Sequence, residues 1–156
     1  MKRTVVIIVA ALGTLWNSLD GLEAQSASRS VWECVFTTDQ AARGKALYTD
    51  KCAACHGASL GGHDVAPALA GSVFLDNWSG QSLGDLAGRI HNTMPLNDPG
   101  SLRNRQVADL IAFVLSFNQF PAGSSELPAE PMLLQQITLN AEKPPTLSAC
   151  PGTAPS

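Results

Sequence analysis

The run Cys52-Ala53-Ala54-Cys55-His56 carries the clearest chemistry in this 156-residue sequence. Two thiols three residues apart on a helical turn can each add to one of the two vinyl groups of a single haem. The histidine that follows them would then lie beneath the iron as its proximal ligand. We therefore predict one covalently bound haem c, attached at Cys52 and Cys55 and ligated by His56.

Two other kinds of site use paired cysteines. A thioredoxin-like redox pair normally lies between a strand and a helix, and no strand pattern precedes Cys52. A zinc site needs two further Cys or His ligands at finger or ribbon spacing, and the remaining candidates are scattered along the chain. Haem attachment is therefore the better interpretation of the run.

The second axial ligand of the iron must come from elsewhere in the chain. The candidates are His63, His91, Met94 and Met132. Met94 stands in a Thr-Met-Pro sequence before the last predicted helix, and its thioether would suit Fe(II) and raise the reduction potential. A lone methionine more often fills a gap in a core. We predict ligation by Met94, while bis-histidine ligation through His91 and an open sixth site stay as alternatives.

The first 24 residues are typical of a Sec signal peptide. Lys2 and Arg3 supply positive charge, an apolar run follows over residues 5–15, and Ala24 supplies a small residue for cleavage. A retained membrane anchor is the alternative, but the apolar run is too short to span a bilayer comfortably. We expect a periplasmic protein with no membrane span after cleavage.

Cys34 and Cys150 are the other two cysteines, and they lie near the two ends of the expected mature chain. Disulfides persist in the oxidising compartment that export implies. A distant pair is then most simply a disulfide that ties the C-terminal segment to the N-terminal one. The alternative is two unpaired thiols.

Composition excludes some classes of partner. Charged residues make up 15% of the chain and the formal net charge is -3, so we expect no basic surface for nucleic acid or for acidic lipid. Aromatic residues make up only 6%, which is low for a domain that fills its own core. A large apolar cofactor would relieve that shortage.

Capping signals and helical periodicity predict the elements that carry these residues. A first helix should begin at residue 38 or 39 and run through Tyr48 to the cysteine run, where Gly57 can adopt the left-handed backbone that ends helices. A capping box predicts a short helix over residues 82–90. Apolar residues at helical spacing predict the last helix over residues 104–118.

The rest of the chain is expected to be irregular, and the fold class is all-α. Residues 58–80 show no periodicity and should form a long loop. A short strand or turn is expected at residues 136–139. We divide the mature chain into a leader (25–37), one domain (38–120) and a Pro-rich extension (121–156), which the disulfide would tie back. The extension's composition favours solvated coil.

Several motifs, in this order and spacing, resemble the class I cytochromes c. They are Gly44-Lys45-Ala46-Leu47-Tyr48, CAACHG at 52–57, Pro67, Thr93-Met94-Pro95 and ADLIAFVLSFN at 108–118. The resemblance covers residues 38–120 and implies the cytochrome c fold, with three main helices around one haem and the first and last crossing closely. Gly44 and Tyr48 match the small and aromatic positions of the first helix. Leu110 and Phe113 match their partners on the last.

The resemblance also implies roles for residues around the haem. The Pro67 carbonyl would accept a hydrogen bond from His56, which orients the ring and raises its basicity. Trp78 stands where the family places a residue that hydrogen-bonds a haem propionate. Packing alone explains a tryptophan there equally well.

A narrower resemblance is to small bacterial cytochromes related to the haem domains of PQQ-dependent alcohol dehydrogenases. It rests on SVWECVFTTDQAARGKALY at 30–48, MPLNDPGSL at 94–102 and NQFPAG at 118–123. Cys34 departs from that pattern, which has glycine there, and Cys150 could be its compensating partner. Arg103 and Arg105 also depart from it, because the helix dipole disfavours cations at a helix start. Either Asn104 caps a later start or the arginines face a partner, unless they are simply solvated.

These features together predict an electron carrier and not an enzyme. With both axial positions filled, the iron would cycle between Fe(II) and Fe(III) and bind no substrate. The resemblance implies a dehydrogenase as donor and another cytochrome or a terminal oxidase as acceptor, for a monomer or a subunit. Two other functions stay open: a haem subunit of a larger dehydrogenase complex, and a haem-based sensor or peroxide-reactive protein with an open sixth site.

Overall fold

The computed structural model describes residues 29–145 and residue 150, so the predicted signal peptide lies outside the described residues. The elements are β1 Arg29–Ser30, α1 Thr38–Lys51, α2 Ala53–His56, α3 Gly71–Trp78, α4 Leu83–Thr93, α5 Asn104–Phe117, α6 Pro131–Leu134 and β2 Ile137–Thr138. The all-α class is confirmed. In this part of the chain, no helix combines the length and the apolar character needed to cross a membrane.

The long helices α1 and α5 cross at the centre of the fold. Thr37 caps α1, because its side-chain oxygen accepts a backbone N–H of the first turn at 3.1 Å. At the crossing, Gly44 lets the two backbones approach so closely that an added Cβ would overlap the Asp109 carbonyl. The rings of Tyr48 and Phe113 pack beside it with centroids 5.2 Å apart. This is the crossing that the cytochrome c fold requires.

Helix α4 begins at the predicted capping box. The Ser82 hydroxyl oxygen accepts the Asp85 N–H at 3.0 Å, and the Asp85 carboxylate accepts the Ser82 N–H at 3.2 Å. Hydrogen bonds from Ser82 and Gln135 lower the pKa of the Asp85 carboxyl. The helix ends at Thr93, so Met94 follows it directly.

The expectation of a loop throughout residues 58–80 is wrong for residues 71–78, which form α3. Two helical turns are too short to show an apolar period, and Phe74 is the one buried side chain of this helix. Distant contacts fix it instead. The Asn118 side chain accepts the Gly71 N–H at 2.9 Å and donates to the Leu69 carbonyl at 3.0 Å.

Helix α5 begins at Asn104, where the periodicity predicted it, and not one residue later with Asn104 as its cap. Arg103 and not Asn104 is the residue that precedes the helix, and the Gln106 side chain accepts its N–H at 3.0 Å. Arg105 lies within the first turn, with its guanidinium 3.5 Å from the Glu126 carboxylate. Because this pair is solvent-exposed, it contributes at most about 1 kcal/mol to stability.

The Pro-rich extension packs on the domain, so the expectation of solvated coil is wrong for its middle part. Its buried apolar side chains are Leu127, Leu134, Ile137 and Leu139. Strand β2 lies within the predicted segment and pairs in parallel with β1. The Trp32 indole N–H donates to the Asn140 carbonyl at 2.9 Å. Apolar burial here outweighs the bias of a Pro-rich composition toward coil.

A disulfide joins Cys34 and Cys150, whose Cα atoms are 5.8 Å apart. Cys34 has a φ of 57°, in the left-handed region that favours glycine. That backbone explains why glycine is expected at this position. The Gly123 N–H donates to the Phe36 carbonyl at 2.7 Å, so the start of the extension lies against the leader beside the disulfide.

Replacing Cys34 and Cys150 together by serine should lower the free energy of unfolding by about 2–4 kcal/mol. The cross-link joins residues 116 positions apart and therefore restricts the unfolded chain strongly. Denaturant unfolding of the haem-loaded protein measures the effect, with reductant-treated wild type as the matched control. Equal midpoints for the variant and the oxidised wild type would contradict the prediction.

Candidate haem site

Cys52, Cys55 and His56 lie on one tight helical turn. Helix α1 ends at Lys51, and the Cys52 carbonyl then accepts the N–H groups of Cys55 at 3.1 Å and His56 at 3.0 Å. Gly57 ends the turn with a φ of 76°, as predicted. A single turn of five residues therefore carries both thiols and the imidazole.

The two thiols do not have the properties of a redox pair. They are not bonded to each other; Cys52 is half-buried and Cys55 is exposed. Burial, with smaller contributions from Asp50 and Cys55, raises the pKa of the Cys52 thiol to about 11. A thiol–disulfide nucleophile needs a lowered pKa and usually lies at a strand–helix junction, whereas a helix precedes this turn.

A zinc site has no support within residues 29–145 and 150 either. Nowhere in these ranges do three His, Cys, Asp or Glu side chains form a group that could hold a metal ion. Zinc bound at Cys52 and Cys55 would need two such ligands beside them.

His56 is buried and its ring is held in one orientation. Its Nδ1 lies 2.9 Å from the Pro67 carbonyl oxygen, to which it donates a hydrogen bond. Because this contact occupies Nδ1, Nε2 is the nitrogen left for a metal. Pro67 thus has the geometry that the family resemblance implied.

The loop after His56 fixes the position of the Pro67 carbonyl. Gly62 donates its N–H to the His56 carbonyl at 2.9 Å, and its φ of 75° is in the left-handed region. An added Cβ at Gly62 would lie within 2.8 Å of the backbone of Ala66, Pro67 and Ala68. The acceptor for the histidine therefore belongs to a tightly folded loop.

Tyr48 has a second role that the sequence reasoning missed. Its hydroxyl donates to the Gly57 carbonyl at 2.6 Å, which ties α1 to the end of the cysteine–histidine turn. Burial raises the pKa of this phenol to about 12, so it stays protonated as a donor. The family pattern indicated only an aromatic residue that packs on the last helix.

The four candidates for the second axial position differ in their surroundings. Met94 is half-buried at the end of α4, where its N–H donates to the Ile90 carbonyl at 2.9 Å. Met132 is 76% exposed on α6, and His63 is exposed beside Asp64. The Nδ1 of His91 lies 2.9 Å from the Leu102 carbonyl. Ligation by Met94 stays a prediction.

Trp78 lies at the end of α3 and is half-buried. Its ring packs on Phe74, with centroids 6.4 Å apart. Packing is the role that this contact supports, and a hydrogen bond to a haem propionate stays a prediction.

The described residues fit a covalently attached haem. Two unbridged thiols and a histidine with Nε2 available form the donor set of such a site. Half-buried apolar side chains packed against the core include Leu47, Leu69, Leu75, Trp78 and Ile90. When bound, the haem supplies an iron that takes up and releases one electron.

Comparison with known proteins agrees with this site. Residues 39–114, just under half of the chain, match the family described as cytochrome c oxidase, cbb3-type, subunit III. The match supports a class I c-type cytochrome. The cytochrome is also similar to a chain in the crystal structure of the sulfane dehydrogenase SoxCD from Paracoccus pantotrophus. That match has 22% identity and a TM-score of 0.47 over 80% of this chain and 76% of the other.

The SoxCD likeness is too low to decide fold or function. The comparison with curated proteins gave no match. What the family match supports is haem-based electron transfer by the cytochrome c domain of residues 39–114.

Proposed function

We propose that this cytochrome is a periplasmic electron carrier with one covalent haem, ligated by His56 and Met94. The observation that carries the proposal is the turn of residues 52–56 with the Nδ1 of His56 held on the Pro67 carbonyl. This hydrogen bond fixes the ring and leaves Nε2 for the iron. A ring that cannot turn also keeps the change in geometry between the two oxidation states small.

A dehydrogenase is the proposed donor, and another cytochrome or a terminal oxidase is the proposed acceptor. The donor rests on the narrower resemblance carried by the segments at 30–48, 94–102 and 118–123. The acceptor is supported by the matched family, which is named for an oxidase subunit. A haem subunit of a larger dehydrogenase complex stays the alternative. Within the described residues, the extension packs on its own domain through side chains between 127 and 139.

Absorption spectroscopy of the exported protein tests the proposal. A pyridine haemochrome assay should report a haem with two thioether bonds, and the ferric form should show the far-red band of methionine ligation. Absence of covalent haem would refute the proposal. A ferric wild type that lacks this band and binds cyanide at once would favour the sensor or peroxide function instead.

Met94→Ala should abolish the far-red band and open the sixth position to cyanide. Loss of the strong-field thioether should also lower the reduction potential, since methionine ligation raises it. Met132→Ala is the matched control, because that side chain is exposed on α6 and should leave band and potential unchanged. Loss of the band in Met132→Ala alone would contradict the assignment.

A further inference from the structure

The loop that carries Met94 is closed at its base by one side chain. His91 lies one turn before Met94 on α4, and its Nδ1 is 2.9 Å from the Leu102 carbonyl oxygen on the far side of the loop. Leu102 is buried, whereas residues 96–101 between them are exposed. The loop therefore has an exposed tip and a buried, hydrogen-bonded base.

Few other hydrogen bonds hold this loop, although the Asp98 carboxylate also attracts Lys51 of α1. Ser101 donates its hydroxyl to the Asp98 carbonyl at 2.8 Å, and Asp98 donates its N–H to the Pro95 carbonyl at 2.9 Å. Both contacts lie within the loop and join none of it to the rest of the domain. The contact between His91 and Leu102 is different, because it joins the end of α4 to the segment that leads into α5.

His91 lies on the α5 side of α4. Its ring lines a cleft of about 240 Å³ between α4, the start of α5 and the extension, together with Asn92, Asn104, Ala129 and Leu134. The side chains lining this cleft include no Asp, Glu, Lys or Arg. The imidazole makes its hydrogen bond to the Leu102 carbonyl, outside this set of lining residues.

We propose that His91 is a positioning residue for Met94: its hydrogen bond to the Leu102 carbonyl clasps the loop that presents the thioether to the iron. The inference rests on the proposed function. Loss of the clasp would leave the part-buried Leu102 carbonyl without this donor, and such a group favours opening of the loop toward water.

The proposal has a measurable consequence for added ligands. Cyanide can bind the ferric protein only when Met94 has left the iron. Its apparent affinity therefore scales with the population of the methionine-off state. A looser loop raises that population, so cyanide should bind more tightly although the site it occupies is unchanged.

Three variants of His91 in the haem-loaded protein test the clasp. His91→Leu removes the donor and should raise the apparent cyanide affinity by about fivefold to tenfold, while the far-red band weakens. In His91→Asn the amide nitrogen can take the place of Nδ1, so we expect the affinity to stay within about twofold of wild type. In His91→Gln the amide nitrogen corresponds to Nε2, and the affinity should rise as in His91→Leu.

His63→Leu is the matched control, since His63 is exposed in another loop and should leave both measurements unchanged. Wild type without covalent haem would overturn the proposed function itself. Wild type with a Met94-dependent band that His91→Leu leaves intact, at unchanged cyanide affinity, would overturn only the clasp. If His91→Leu does not fold, equal cyanide affinities in His91→Asn and His91→Gln would overturn it as well.

Discussion

Replacing both Cys52 and Cys55 by serine is expected to leave the protein without covalently bound haem. In the proposed site the thioether bonds form at these two sulphur atoms, and a hydroxyl does not add to a haem vinyl group in their place. Intact mass and haem staining after denaturing electrophoresis measure the result directly. We expect complete loss of the stained band in the double variant.

The other two cysteines supply the control for this experiment. Cys34→Ser with Cys150→Ser removes the disulfide and leaves the turn at residues 52–56 unchanged. This variant should keep its stained band and the mass of one haem, although it unfolds more easily. Haem that survives denaturation in the Cys52 and Cys55 variant would show that attachment takes place elsewhere.

Gly44→Ala should cost about 3 kcal/mol of stability or more, because overpacking at a close contact forces backbone shifts. An added Cβ at Gly44 would collide with the Asp109 carbonyl and the Phe113 Cβ, both of which belong to α5. A backbone obstacle cannot rotate away, so α1 and α5 would have to separate. Denaturant unfolding of the haem-loaded protein is the measurement.

Alanine substitutions at two other glycines serve as controls, because an added Cβ meets different surroundings at each. Gly88 lies within α4 with nothing within 4 Å of an added Cβ, so Gly88→Ala should stabilise the protein by about 0.5–1 kcal/mol. At Gly84 the three atoms nearest an added Cβ belong to the Gln135 side chain, which can move more easily than backbone, so Gly84→Ala should fall between the two. Equal stabilities of the Gly44→Ala and Gly88→Ala variants would contradict the close crossing.

Local signals account for the parts of the fold that were predictable. The haem-binding turn needs only five consecutive residues, so its chemistry is visible without knowledge of the tertiary structure. The capping box at Ser82 and Asp85 works in the same way, since both hydrogen bonds span three residues. The period of α5 was clear because large apolar residues recur at helical spacing at 107, 110, 111, 114 and 115, and all of them are buried.

The features that were missed depend on residues far apart in the chain. Helix α3 is held by Asn118, and the extension is held in part by Gln40, whose side chain exchanges two hydrogen bonds with the Leu127 backbone. No short window of sequence contains both members of such a pair. Composition therefore predicted coil where tertiary contacts impose order.

The candidate haem site likewise contains one contact that was predicted and others that were missed. Family resemblance was enough to pair His56 with the Pro67 carbonyl, because it supplies tertiary information that the local sequence lacks. It did not extend to the hydroxyl of Tyr48, whose acceptor exists only because the helical turn ends at Gly57. Likewise the base of the Met94 loop joins His91 to Leu102 across the loop, and no local pattern indicates that contact.

The disulfide between Cys34 and Cys150 has a consequence for limited proteolysis. Every residue from α1 to β2 lies between the two cysteines, so this stretch is a covalently closed circle of peptide. A protease that cuts the exposed segment 96–101 would open the circle without releasing a fragment. The nicked chain should migrate as one species until a reductant separates a haem-bearing N-terminal piece from a colourless C-terminal piece.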